Sequence, residues 1–431
     1  MAQKEEIIQK FSNHVSSGKA EFFMKYGMDF VMGKREGPYL YDIDGKKKLY
    51  NLHCNGGVFN LGHRNREIIE TLKTSLDELD IGNHHLMSRE RAELASMIGL
   101  LMPEDLDYVV FGVSGGEAVD LAIKVARAYT KKTTIVSAVG GYHGHTGLSM
   151  ATGDEKYRSP FGPTSPGFKQ VPYGSLEELK KSIDHDTAAI ILETIPATLG
   201  MLVPSREYMQ GVRKLCDDQK ILLILDEVQS GLGRTGELWA FTYFDIVPDM
   251  VILGKGLSGG IYPITATVLR NRLDSVFHPD PFIHISTFGG SEIGCRVARK
   301  VLEISSAPLF LEHVIHLAGI FRRELDRLGN KHSSFFIGIR QLGLMIGLML
   351  RGDLAGPLLT KTAYDEGLLL IYANNDPSIC QFLPPLVMTE SDVDEVIQKL
   401  DKALANAKKL YPLVYLKKKV DEVTGKPARK R

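Results

Sequence analysis

Five short apolar runs constrain this chain more than any other feature. They cover residues 108–111, 134–139, 188–192, 221–225 and 250–253. Each is too short for an ordinary helix and lacks polar–apolar alternation, the pattern of strands covered on both faces. Amphipathic stretches, such as 118–129 and 205–219, lie between several of them. Strand–helix alternation of this kind predicts a mostly parallel sheet with helices packed around it. In such a sheet ligands bind beyond the carboxyl ends of the strands, so the residue after each run is the informative one.

Those residues carry chemistry. Asp226 and Glu227 follow one run, and Glu193 follows another. Gly254 and Lys255 follow a third, and Gly140-Gly141-Tyr142-His143-Gly144-His145 a fourth. After residues 108–111 comes Gly112-Val113-Ser114-Gly115-Gly116-Glu117, opening a helix. Glycines there let the backbone approach a ligand closely. The unpaired N–H groups and positive dipole end of a helix start suit an anion, and Ser114 adds a hydroxyl. A lysine between glycines can form a Schiff base with an aldehyde. A buried aspartate at a neighbouring strand end can keep a pyridinium nitrogen protonated. Aldehyde, pyridine ring and phosphate are the three handles of pyridoxal phosphate (PLP), and Tyr142 is free to stack on the ring.

Two other motifs compete. Gly112-Val113-Ser114-Gly115-Gly116 matches the nucleophile elbow of serine hydrolases, with Asp226 and His284 following in the required order. That reading leaves Lys255 idle. Gly231-Leu232-Gly233-Arg234-Thr235-Gly236 matches a dinucleotide fingerprint. It begins several residues after its strand, and Asp226 and Glu227 would repel a pyrophosphate there. The pairs His84-His85 and His143-x-His145 lack the carboxylate or cysteine spacing of a metal site, so no metal is expected.

The remaining organisation is simpler. A helix is expected from the start to about Lys25, and a two-residue hairpin turn at Asp44-Gly45. Helices are expected at about 296–306, 310–328 and 390–408, with apolar runs at 342–350 and 368–372; this mixture predicts a smaller α+β domain. Residues 417–431 are rich in Lys and Arg and are expected to be a flexible tail. Lys plus Arg equals Asp plus Glu, at 52 each, which excludes a basic nucleic-acid footprint and does little to oppose self-association. Four scattered cysteines without a CxxC pair predict a reducing, cytoplasmic setting. The polar opening is unlike a signal peptide, and no apolar run reaches membrane-spanning length.

These residues fall into the order of a known family. GVSGGEAVDLAIKVAR, GGYHGHT, ILDEVQSGLGRTG, ILGKGLSGGIYPITA and HISTFGGSEIGC follow one another between residues 112 and 295, within a likeness that covers about residues 23–404. The chain resembles the class III, fold-type-I PLP-dependent aminotransferases, among them the ornithine, putrescine and 4-aminobutyrate enzymes. The resemblance implies a large domain at 64–310 with a mainly seven-stranded sheet. A smaller α+β domain would be built from 1–63 and 311–416. Lys255 would form the Schiff base with the cofactor, and Asp226 would face its ring nitrogen. Tyr142 and Val228 would pack on the ring faces, with His143 beside the ring and Gln229 near its hydroxyl. Ser114, Gly115 and Gly116 would hold the phosphate, and Thr287 would reach the phosphate of the neighbouring subunit in a homodimer. The implied reaction moves an amino group from an amine or amino acid to a 2-oxo acid by a ping-pong route. An aminomutase or racemase is the alternative, with a serine hydrolase at Ser114 more remote.

The chain also departs from its resemblance. Gln381 stands where many members carry an arginine that grips the α-carboxylate, and Thr198 stands where that arginine often has a glutamate partner. Without the arginine, an unpaired buried glutamate would be costly, so the two changes are coherent. Glu193, Thr198 and Gln381 are therefore the expected substrate-pocket residues. Asn55, Gly56 and Gly57 lie at the expected substrate-side loop, and Arg340 is expected to be a structural ion-pair partner.

Overall fold

A computed structural model describes residues 3–423 of the chain. Three short strands come first: β1 (Met32–Glu36), β2 (Tyr39–Asp42) and β3 (Lys48–Asn51). Seven strands then form the central sheet: β4 (Leu106–Gly112), β5 (Thr134–Ala138), β6 (Phe168–Val171), β7 (Thr187–Glu193), β8 (Leu222–Asp226), β9 (Met250–Leu253) and β10 (Thr265–Arg270). Their order is β4-β10-β9-β8-β7-β5-β6. Only β10 is reversed, lying antiparallel to both β4 and β9. The sheet is the mostly parallel seven-stranded one that the apolar runs and the resemblance predict.

The absence of alternation in those runs has a direct cause. Leu223 and Leu225 of β8, Ile190 and Leu192 of β7, and Val251 and Leu253 of β9 enter one apolar core. Leu222, Ile224, Ala189, Ile191, Met250 and Ile252 enter another on the opposite face, where Leu121, Ala122 and Val125 of the helix Gly115–Thr130 cover them. Successive strand residues point to opposite faces, so two covered faces require apolar residues throughout. The helix Gly115–Thr130 starts where Ser114 Oγ accepts from Glu117 N at 3.3 Å. It stops at Lys131, whose φ of 59° turns the chain left-handed.

The second unit draws on both parts of the chain. Strands β11 (Phe336–Leu342), β12 (Met345–Leu350), β14 (Ile371–Tyr372) and β15 (Ile379–Phe382) form one sheet, in the order β11-β12-β15-β14. Strand β13 (Leu368–Leu369) instead pairs in parallel with β3, completing the sheet β1-β2-β3-β13. Tyr50 and Leu52 share a core with Phe321, Leu348, Phe382 and Leu400. No single helix among the described residues is long and apolar enough to cross a membrane.

Three local expectations change. The opening helix is two, Gln3–His14 and Ser17–Lys25, because Ser16 is extended and its hydroxyl caps Lys19 N. The Asp44-Gly45 turn lies in a longer connection between Asp42 and Lys48, closed by Gly45 N to Asp42 O at 2.8 Å. Gly45 alone takes positive φ there, at 72°. The last helix runs Glu390–Val423, well past Lys408, so the expected tail begins inside a helix, and its part from 424 to 431 lies outside the described residues.

Candidate active site

A cavity of about 540 Å³ opens at the carboxyl ends of β4, β7, β8 and β9. Residues from all four strand ends line it: Ser114, Gly115 and Gly116; Glu193; Asp226, Val228 and Gln229; and Lys255. Tyr142 and His143 enter from the segment after β5. Most of the residues expected from sequence therefore converge on one space.

Asp226 is the last residue of β8, paired in register with Glu193 of β7. Its Oδ2 lies 2.9 Å from His143 Nδ1, and its Oδ1 accepts from Val228 N at 3.1 Å. Burial opposes a charge on His143, but the hydrogen bond and charge of Asp226, helped by Glu193, outweigh it and hold the imidazole above its ordinary pKa. Glu193 is pushed up to about 7, chiefly by burial. Its oxygens accept from Tyr142 N at 2.9 Å and Ala197 N at 3.3 Å, so it also fixes the path of both wall segments.

Lys255 follows β9 with a φ of 42°, an uncommon backbone conformation for a side chain of this size. Its Nζ donates to Gln229 Oε1 at 3.0 Å. Burial lowers its pKa against the opposing pull of Asp226 and Glu193. Among the described residues Gln229 Nε2 and His143 Nε2 are buried and have no hydrogen-bond partner. Unpaired buried polar groups are costly, and both belong to residues that line the cavity.

At the other end stands the start of the helix Gly115–Thr130. Ser114 and its hydroxyl cap leave the N–H groups of Gly115 and Gly116 without intrahelical partners. A Cβ on Gly116 would lie 2.7 Å from Thr146 Oγ1, and one on Gly144 would lie 2.7 Å from Gly116 Cα. Close approach of two chain segments therefore requires glycine at both positions. The reversed strand β10 ties this cradle to the lysine: Thr265 Oγ1 donates to Ser114 O at 3.4 Å, while Thr265 Cγ2 lies 3.1 Å from where a Cβ on Gly254 would be.

The other expected residues separate. Thr198 lines the cavity and donates to Gly140 O at 2.8 Å. Gln381 does not line it; it is buried in β15, in register with Gly347 and Ile371. Thr287 is exposed and lies outside the cavity lining. Arg340 donates to the carbonyls of Leu199 and Gly200 at 2.9 and 3.0 Å, with Asp376 at 3.9 Å. The hydrolase triad does not assemble, because Asp226 pairs with His143 and His284 pairs with Lys124 at a second cavity. Val58, Ile195, Ala197 and Ile264 also line the first cavity and were not singled out from sequence; as isolated apolar residues they carry no signal. Thr146 was within reach, since it closes the GGYHGHT segment.

The donor set fits PLP. An anion cradle, an aspartate beside a protonatable histidine, an orphaned amide and an amine line a single cavity. The model of the family described as aminotransferase class-III matches residues 24–404. An Archaeoglobus fulgidus protein described as an uncharacterized aminotransferase is 53% identical over 93% of this chain and 94% of its own. A putrescine aminotransferase of Pectobacterium atrosepticum is 32% identical over 92% of this chain and 88% of its own. The ornithine aminotransferase of Toxoplasma gondii, whose structure is described as having partial PLP occupancy at the active site, superposes with a TM-score of 0.87. It is 24% identical, over 94% of this chain and 95% of that one.

Proposed function

This chain belongs to the class III aminotransferases, enzymes that use PLP, and from that premise we propose that Lys255 is the amine that holds the cofactor and moves the proton during amino transfer. The observation that carries this reading is the meeting of Lys255, Gln229, the Asp226–His143 pair and the helix start at Gly115 in one cavity. Asp226 would hold the ring nitrogen, with His143 fixing its carboxylate. Ser114, Gly115 and Gly116 would hold the phosphate, Gln229 would take the ring oxygen, and Tyr142 and Val228 would flank the ring. When bound, PLP supplies an electron sink that stabilises negative charge at the carbon bearing the amine.

The chain's own part is proton handling and exclusion. Burial lowers the proton affinity of Lys255 Nζ, so a neutral amine is more accessible there than on a surface lysine. That amine would take the proton from the substrate carbon and, as an acid, give it up to the cofactor carbon that bears the nitrogen. Val58, Ile195, Ala197 and Ile264 keep water from the reacting face. Amino donor and oxo acceptor occupy this cavity in turn, which gives ping-pong kinetics. Among the described residues no arginine lines the cavity.

The larger frame is part of the proposal. Residues 64–310 form the cofactor domain, and 1–63 with 311–416 the smaller one. Thr287 lies in an exposed apolar segment with Phe282, Ile283, Ile285 and Phe288; the Phe282 ring lies 5.5 Å from that of His85, which precedes exposed Leu86 and Met87 in the chain. That surface suits a homodimer in which the partner subunit's Thr287 reaches the phosphate. The cytoplasm is the proposed setting, supported by four free cysteines, all buried.

The decisive experiment is a donor and acceptor screen with purified holoenzyme, together with Lys255→Ala. Turnover is expected only when an oxo acceptor is supplied. Lys255→Ala is expected to lose at least ~10³-fold in kcat and its borohydride-trapped cofactor. Turnover without an acceptor would instead favour an aminomutase or racemase, and trapping on another lysine would remove Lys255 from the role.

A further inference from the structure

The motif Gly231-Leu232-Gly233-Arg234-Thr235-Gly236 has no part in the chemistry above, yet its arginine is fully buried. Arg234 Nη1 donates to Pro384 O at 2.6 Å and Leu344 O at 3.1 Å, and Nη2 donates to Asn60 Oδ1 at 2.5 Å. The backbone reinforces the junction, with Leu344 N donating to Arg234 O at 2.9 Å. Gly343 packs so closely that a Cβ there would lie 2.3 Å from the Thr235 carbonyl carbon. Among the described residues Arg234 Nε has no hydrogen-bond partner, and Cys54 is the one ionisable group that bears on its charge. Burial pushes the guanidinium down to about 10 and the Cys54 thiol up to about 12. A buried cation held by carbonyls and an amide instead of a carboxylate is an expensive way to fill space.

Asn60 leads from this cation to the lysine. Just before it, Cys54, Asn55, Gly56 and Gly57 are all left-handed, with φ of 48°, 51°, 68° and 99°. Two of the four carry side chains, a conformation that costs of order 1–3 kcal/mol per residue and persists only where the surroundings enforce it. A Cβ on Gly56 would lie 3.1 Å from Lys255 Cε and 3.3 Å from Nζ. A Cβ on Gly256 would lie 3.1 Å from Gly57 O and 3.2 Å from Asn60 Nδ2. The strained turn is thus the wall against the lysine, and Asn60 stands at its foot.

We propose that Arg234 is a positioning residue: through Asn60 it holds the left-handed turn at 54–57 against Lys255, and through Leu344 and Pro384 it fixes the smaller unit to the same point. The proposal rests on Lys255 being the reacting amine, but its first readout does not. In the full-length apoprotein, hydrogen exchange is measured across residues 52–60, where Gly56 N and Phe59 N are protected by bonds to His53 O and Cys54 O. Asn60→Ala and Arg234→Lys are each expected to speed exchange there at least ~10-fold while β7 and β8 stay protected. In the holoenzyme the same variants are expected to lower kcat by ~10–100-fold with the donor KM little changed. Asn60→Asp, which keeps an acceptor for the guanidinium, is expected to recover most of the loss. Unchanged exchange at 52–60, or equal kcat losses in Asn60→Ala and Asn60→Asp, would overturn the proposal. If Arg234→Lys does not fold, Asn60→Ala decides alone. Failure of the lysine assignment looks different: Lys255→Ala would retain turnover whatever the exchange data show.

Discussion

At Lys255 two forces oppose each other: burial disfavours the ammonium, and Asp226 and Glu193 favour it, with burial the larger. Asp226 is also the partner that raises His143, so its removal should be felt twice. Asp226→Ala is expected to lower the rate of proton abstraction by at least ~10²-fold, checked by single-turnover absorbance; near-normal rates would break its pairing with the ring nitrogen. His143 supplies a pH prediction. Its folded pKa is raised above the ordinary 6.5, so its stabilisation is fully present below that value and lost as pH rises through the folded one. Glu193, raised to about 7, works in the same direction: its stabilisation is lost as pH rises from the ordinary carboxyl value to the folded one. The melting temperature of the apoprotein should therefore fall as pH rises through about 7, and His143→Asn should flatten the slope; an unchanged slope in the variant would count against it. Lys255, Asp226 and Glu193 were legible because charged residues after an apolar run have nowhere to go but the sheet edge. Gln381 was expected in the pocket by its place in a family segment, yet β12 and β14 flank it inside β15. Gln381→Arg is accordingly expected to destabilise by ~2–4 kcal/mol in urea melts without improving dicarboxylic acceptors. A stable variant with a new acceptor preference would restore Gln381 to the site.

Elements were read from sequence in proportion to how completely they are buried. Strands β5, β7, β8 and β9, buried along their length, fall close to the expected runs. Strands β6 and β10 were not foreseen. Strand β6 sits at the edge with half-buried polar residues, and β10 mixes threonines into its apolar residues. The helix Gly115–Thr130 was placed correctly because its glycines, cap and apolar stripe agree. Its first turn is testable by itself. Gly116→Ala must displace Thr146, so cofactor affinity is expected to fall about tenfold or more, roughly 1.4 kcal/mol, measured by titration of apoprotein. Unchanged affinity would mean that the cradle is looser than its close contacts indicate.

On the scale of the whole molecule, the pairing of an early strand, β3, with a late one, β13, does not follow from periodicity. The β3–β13 pairing spans more than 300 residues of chain, and no local pattern encodes such a partner. The exposed segment 282–288 makes the assembly prediction. Phe282→Asp with Met87→Lys should convert a dimer to a monomer in sedimentation and lower activity with it. A fully active monomer would show that each chain completes its own site.

Strand β10, the one reversed member of the sheet, has a wider consequence. It separates the cradle strand β4 from the lysine strand β9, so two inter-strand gaps, about 9.5 Å, lie between those two backbones. That interval behaves as a fixed gauge, set by backbone hydrogen bonding and insensitive to any side chain. A lineage with this scaffold can remodel its walls and admit new amines, but it cannot retune the grip on a longer or shorter cofactor without inserting or deleting a whole strand.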